Sequence, residues 1–158
     1  AHYVVPELEL PIFDQAQIIE ILGNAFSGLT LAKEAQATPL RDAFLKSLAP
    51  GQEQLLNELA PLSVTWHDGR RLKLLYPEEA VDEDNVPNSP ELQVKLHECF
   101  ALQEHPHVFE GRLPVRLWLC TPEGKRLEAT FNWPAFKANT YPKLKPQLQR
   151  KYPGTPWI

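Results

Sequence analysis

Proline constrains this chain more than any other residue: it occupies sixteen of the 158 positions. A proline fixes φ near the polyproline value and has no N–H to give. Inside a helix or a central strand it therefore breaks the hydrogen-bond ladder. Here the prolines fall at the ends of periodic runs. The chain is thus segmented into short elements rather than disordered. At this length it suits one domain, or a small helical segment beside a second unit, and about two-thirds of the unfolded surface can be buried.

Residues 1–60 predict a helical segment. Residues 1–11 are expected to be an extended lead-in. Asp14 then offers an N-cap acceptor before Ile18, Ile19, Ile21 and Leu22, a wide apolar face, with Gly23 near its end. Ser27-Gly28 marks a break, and 30–34 a short helical turn. Thr38-Pro39 is a cap followed by proline at the first helical position, and predicts a helix through Leu48. Pro50-Gly51 opens another through Leu55, Leu56 and Leu59, which Pro61 stops. Helices this short need tertiary packing to persist.

Residues 61–158 change period. Ser63-Val64-Thr65-Trp66, an Asp68-Gly69 turn and the alternating Leu72, Leu74 and Tyr76 predict a hairpin. Pro77 to Pro90 is an acidic loop. Ser89-Pro90-Glu91 reads as a helix start, with Leu92, Leu96, Cys99 and Phe100 as the apolar stripe of a helix to Ala101. His105-Pro106-His107 begins an extended piece. Leu113 to Cys120 alternates and Arg126 to Phe131 returns across a Thr121-Pro122-Glu123-Gly124 turn, an antiparallel pair. Asn132 caps a short helix from Trp133 to Ala138, and Tyr141 to Tyr152 is a last helix, interrupted or started by Pro142 and Pro146. The fold class expected is α+β: an N-terminal helical segment, then a small, mostly antiparallel sheet with flanking helices. An OB-like barrel is the structural alternative.

Charge is distributed unevenly. The total is −4, but residues 1–110 carry a net −11 and residues 111–158 a net +7. Such asymmetry marks a nucleic-acid contact or two halves that neutralise each other. No run approaches the ~20 apolar residues of a spanning helix, and no signal-peptide pattern opens the chain. Two cysteines do not make a disulfide framework, so a reducing cytoplasm is expected. The chain contains no Met, even at position 1, which predicts a piece of a longer protein.

The motifs of catalysis are missing. No Gly-rich phosphate loop occurs, Ser27 lacks the glycines of a nucleophile elbow, and His97-Glu98 is not followed by the second histidine of a zinc-protease helix. His97, Cys99, His105, His107 and Cys120 offer zinc-type donors without the paired spacing a closed zinc site uses. Cys99 reads more simply as a small core residue. The Asp82-Glu83-Asp84-Asn85 run lacks the glycine and downstream glutamate of a calcium loop. No metal site and no catalytic residue is assigned.

The basic end is the remaining candidate. Arg112, Arg116, Lys137, Lys143, Lys145, Arg150 and Lys151 supply cations for phosphates, and Trp133 and Tyr141 supply rings on which unpaired bases stack. The competing assignment makes the rings core and the cations its wet rim. Large aromatics usually supply buried area, which favours core for Trp118 and Trp133.

Three stretches carry a family resemblance. Pro90, Leu92, Val94, Lys95, Leu96, Glu98 and Phe100 resemble a P-x-L-x-V-[RK]-L-x-E-x-F segment of the HrpB-type bacterial DEAH-box helicases. Gly111-Arg112-Leu113-Pro114 with Leu117, Leu119 and Pro122 resembles that family's G-R-x-P-L-x-L-x-L-L-S-P strand and turn. Thr130, Phe136, Tyr141, Tyr152-Pro153 and Pro156-Trp157 resemble its closing T-x-D-L-x-x-F-W, S-Y and R-Y-P-K-H-P-W. Leu59-Ala60-Pro61 is similar more loosely. Lys137, Thr155, Ala101, Leu62-Ser63 and Arg70 depart from the pattern.

The resemblance implies a C-terminal module of an ATP-dependent helicase acting on nucleic acid, RNA favoured. The ATP and magnesium sites would lie upstream, so the module would hold no cofactor of its own. Its expected partners are the helicase core and nucleic acid. A protein-interaction role, docking on the core or recruiting a protein, is the alternative function. No membrane partner is implied.

Overall fold

The computed structural model describes residue 1 and residues 3–8, 15–26, 46–84 and 86–158. Asp14, the 27–34 stretch, the Thr38-Pro39 helix start and Asn85 lie outside these. The chain divides into two units, Ala1–Glu58 and Leu59–Ile158.

In the first unit the described part of the lead-in, residues 3–8, is not extended. Val4 and Val5 N–H both donate to the Ala1 carbonyl, and a 3-10 turn follows at Pro6–Leu8. Pro6 makes that turn feasible, because its fixed φ suits the first helical position. Helix α1 spans Gln15–Phe26. Ile18, Ile21 and Leu22 are half-buried, while Ile19, expected on the same face, is 62% exposed. Helix α2 spans Gln52–Leu59. Gly51 takes a positive φ of 87° before it, and the Gln52 side chain accepts from the Ala49 N–H, satisfying a donor outside the helix ladder.

In the second unit, β1 (Ser63–Thr65) and β2 (Arg71–Lys73) form the expected antiparallel hairpin, with Ser63 opposite Lys73. Gly69 sits at φ 85° in its turn, a conformation the Asp-Gly pair anticipates. Next come β3 (Glu91–Lys95), a 3-10 helix (Leu96–Ala101), β4 (His107–Val108), β5 (Leu113–Pro114), β6 (Arg116–Cys120), β7 (Arg126–Thr130), α3 (Trp133–Asn139) and α4 (Tyr141–Lys151). The main sheet has the order β3-β6-β7. β6 and β7 pair antiparallel, as expected. A register shift after Leu119 makes Leu127 the extra residue of a bulge. β4 and β5 form a separate antiparallel pair.

The helix expected over 90–101 is not there. Its first half is β3, paired in parallel with β6 from Glu91–Arg116 to Lys95–Cys120. Leu92 and Val94, two apart, are 1% and 4% exposed, whereas Gln93 and Lys95 face solvent. The alternation over 91–95 prevails because the parallel ladder satisfies the backbone and buries both apolar side chains. Only Leu96, Cys99 and Phe100 keep a helical spacing, in a 3-10 turn. Among the described residues three of the four strand pairings are antiparallel and no sheet closes into a barrel, so the fold is α+β and the OB-like alternative is set aside.

The core of this unit comprises the inner face of the sheet (Leu92, Val94, Leu117 and Leu119) and an aromatic cluster. Phe100 packs edge-on to Trp133 and Tyr141 at centroid distances of 5.7 and 4.7 Å, and Trp133 stacks on Phe136 at 5.9 Å. His105 ties the cluster to the strands. Its Nε2–H donates to the Val115 carbonyl (2.7 Å), and its Nδ1 accepts from the Trp133 N–H (3.1 Å). These two bonds fix a neutral imidazole and its tautomer. They also complete the start of α3. Trp133 N–H goes to His105, Pro134 has none, Ala135 N–H goes to the Asn132 side chain, and Phe136 N–H to the Asn132 carbonyl. All four positions at that helix end are therefore accounted for.

Candidate nucleic-acid interface

Helix α4 has the sequence YPKLKPQLQRK, with four cations and no acid. Pro142 sits in the first turn, where its missing N–H costs nothing, and Pro146 is tolerated inside. Tyr141 and Leu148, seven apart, are buried and set the inward face. At 100° per residue, Lys143 and Arg150 then fall on the opposite side with Gln147 beside them, while Lys151 lies on the flank, nearer the buried side. All four are exposed. The row from Lys143 to Arg150 is about 10 Å long at 1.5 Å per residue. Among the described residues, none of these cations makes an ion pair. Lys151 instead lies 5.5 Å from the Tyr152 ring. Arg150 and Lys151 also complement the negative end of the helix dipole, a purely structural use.

The other expected site residues do not join this row. Lys145 projects toward the buried side, half-covered, with Nζ 6.0 Å from the Tyr141 ring. Lys137 is exposed on α3, with Nζ 5.9 Å from the Phe100 ring. Arg112 is exposed at the tip of the β4–β5 connection, where Phe109, Glu110 and Gly111 all take positive φ. Trp133 and Tyr141 are 1% and 4% exposed. Their rings lie within the aromatic cluster, so neither has a free face for a base in this conformation. Burial raises the Tyr141 hydroxyl above its ordinary pKa.

Arg116 belongs to a different surface, the outer face of the main sheet. Trp118 lies there too, half-buried rather than in the core as its size suggested. The Arg116 guanidinium sits 5.0 Å from the Phe131 ring centre, and that of Arg126 sits 4.5 Å from Trp118. Glu91 lies between them, 3.3 Å from Arg116 and 3.9 Å from Arg126. Sequence reasoning passed over Arg126 and Phe131. The signal available was strand alternation: positions 116 and 118 share a face, and pairing Leu117 with Thr130 carries that face across to 131. Beside it, an open groove of about 540 Å³ runs between β7 and α3, lined by Thr130, Phe131, Asn132 and Asn139 among others.

Four of the five candidate metal donors, Cys99, His105, His107 and Cys120, are engaged elsewhere. Burial pushes the His105 imidazole below 6.5, against the opposing bond to Val115. His107 Nδ1 bonds the His105 carbonyl, and Cys99 donates to the Lys95 carbonyl. Burial raises both thiols, Cys99 strongly. Among the described residues no three His, Cys, Asp or Glu side chains group as ion ligands. No described helix is long and apolar enough to cross a membrane.

Comparison with known proteins gives a consistent picture. A family model described as "ATP-dependent helicase C-terminal" matches residues 21–158. The ATP-dependent RNA helicase HrpB of Escherichia coli strain K12 is 24% identical over 157 residues, which are 97% of this chain and 18% of that protein. The crystal structure of the E. coli DExH-box NTPase HrpB superposes with a TM-score of 0.85 at 23% identity, covering 100% of this chain and 19% of that one. A crystal structure of the E. coli DEAH/RHA helicase HrpB gives 0.73 at 23% identity, covering 99% and 19%. The chain thus spans less than a fifth of the length of these relatives.

Proposed function

This chain belongs to the ATP-dependent helicase C-terminal family, and from that membership we propose that it is a non-catalytic accessory module of a longer, cytoplasmic RNA helicase, holding nucleic acid through the outward face of α4. The observation that carries this is the pair Lys143 and Arg150 on the outward side of a helix without a single acid, facing solvent and free of carboxylate partners among the described residues. Cations so placed neutralise phosphates, release counterions and contribute affinity that does not depend on base sequence. ATP and magnesium would be bound by the remainder of the longer protein, and strand movement would be driven there. The module's part would be to keep the strand from leaving.

The test is fluorescence anisotropy of the 158-residue chain with labelled single-stranded RNA at two salt concentrations. Lys143→Glu/Arg150→Glu is the informative variant, since both side chains share the outward face. Binding should weaken with salt, and the variant should lower the slope of log affinity against log salt by about 1.4 for two lost phosphate contacts. Absence of binding at low salt refutes the proposal. A second function, docking on the helicase core, is favoured by Leu62 and Leu75, 59% and 42% exposed at the open end of the β1–β2 hairpin. Binding of RNA unaffected by the charge reversal would leave that as the better account of this module.

A further inference from the structure

We propose that the outer face of the β3-β6-β7 sheet is a base-stacking platform for single-stranded nucleic acid, centred on Phe131, Arg116 and Arg126. This rests on the nucleic-acid role above, but it uses a surface apart from α4 and adds a different chemistry. Helices α3 and α4 follow β7, and the buried side chains Leu92, Val94, Leu117 and Leu119 all lie on one face of the sheet. The opposite face carries Gln93 and Lys95 on β3, Arg116 and Trp118 on β6, and Arg126 on β7, with Phe131 just beyond its end. None of these side chains is fully buried, and Phe131 is 45% exposed.

An apolar ring left this open on a sheet contributes little to the core. What surrounds it fits a nucleotide. Arg116 stands 5.0 Å from the Phe131 ring centre and Arg126 4.5 Å from that of Trp118. Glu91, reaching both guanidiniums, restrains two long side chains before any ligand arrives. Their side chains remain 43% and 47% exposed, accessible to phosphate oxygens. With Lys95 on the same face, the patch is positive by two after Glu91 is counted. Flat rings receive unpaired bases whatever their identity, and arginine supplies both phosphate contacts and a stacking plane. The groove next to Phe131 is also lined by Asn132 and Asn139, whose amides bond the Ala135 backbone. A duplex offers no unstacked base to such a ring, so the ligand class is single-stranded.

The experiment combines two readouts on the 158-residue chain with a labelled single-stranded RNA 12-mer at low salt. Anisotropy gives affinity. Tryptophan emission reports on this face, because Trp66, Trp133 and Trp157 are 4%, 1% and 8% exposed and Trp118 alone is half-open. The platform requires that RNA quench that emission. It requires Phe131→Ala to weaken binding about 5- to 160-fold while Phe131→Tyr, which keeps the ring, binds as the parent does. Near-ultraviolet circular dichroism checks that Phe131→Ala remains folded, as the exposure of the ring leads one to expect. If Phe131→Ala binds like the parent while Lys143→Glu/Arg150→Glu does not, the platform is overturned and the α4 proposal stands. If Phe131→Ala fails and the α4 variant is unaffected, the platform stands and α4 does not. If the parent binds no RNA, both are overturned.

Discussion

His105 can be tested quantitatively, because its imidazole serves two buried backbone groups at once. Replacement by phenylalanine keeps a flat ring of similar size and removes both hydrogen bonds. The Val115 carbonyl and the Trp133 N–H are then stranded, in residues 0% and 1% exposed. A buried polar group left without its partner costs about 1–3 kcal/mol, so the pair gives about 2–6 kcal/mol. With a urea m-value of about 2 kcal/mol/M, the unfolding midpoint should fall by about 1–3 M. All four tryptophans lie beyond residue 58, so their emission follows the second unit.

His105→Gln should recover part of the loss, having one donor and one acceptor at its tip. The parent should also lose stability as the pH falls. Burial holds the folded imidazole below its unfolded value of 6.5, so the unfolded chain binds the extra proton first. The contribution is complete above that value and is lost on acidification through the window below it, at no more than about 1.4 kcal/mol per pH unit. The glutamine variant should lack that component. A phenylalanine variant whose midpoint lies within about 0.3 M of the parent would refute the reasoning.

Three further outcomes follow from neighbouring features. Asn132→Ala should destabilise by about 0.5–2 kcal/mol in the same urea assay, since its side chain caps the Ala135 N–H. Gly124→Ala should cost about 1–2 kcal/mol, because the turn holds Gly124 at φ 88°, where an added Cβ meets strain but no neighbouring atom. Cys99 and Cys120, 0% and 3% exposed with thiol pKa values raised by burial, should resist iodoacetamide at pH 8 and react promptly in 6 M urea.

Local chemistry made several elements legible. Asp68-Gly69 and Gly124 mark turns the backbone adopts at positive φ, and Asn132 caps the helix it was expected to cap. Pro61 does end the element before it. Segment 90–101 was different. Leu92, Leu96, Cys99 and Phe100 fit a helical stripe, while Leu92, Val94 and Leu96 fit a strand equally well. The deciding partner, β6, is remote in sequence, so no window around residue 92 contains the answer. Leu113 to Cys120 looked continuous, yet it splits at Val115, whose N–H and carbonyl serve Pro106 and His105. The site divides along similar lines. Charge placed α4 correctly on the outside, but which cations share a side depended on which residues the core took. Arg126 and Phe131 acquire meaning only through cross-strand pairing.

The sheet order has a consequence for time as well as for shape. β6 and β7 are joined by a tight turn, whereas the Glu91–Arg116 pair closes a separation of 25 residues. Chain closure over the longer span sacrifices more entropy before any contact repays it. We therefore expect the hairpin to form early and β3 to dock late. Substitution at Val94 should then chiefly accelerate unfolding, with a φ-value near zero, and substitution at Leu119 should slow refolding. Equal φ-values at the two positions would mean that the strands assemble together. On the expected order, every folding event passes through a species in which the central strand β6 has one edge unpaired. That species, rather than the native protein, is where association with another chain would begin.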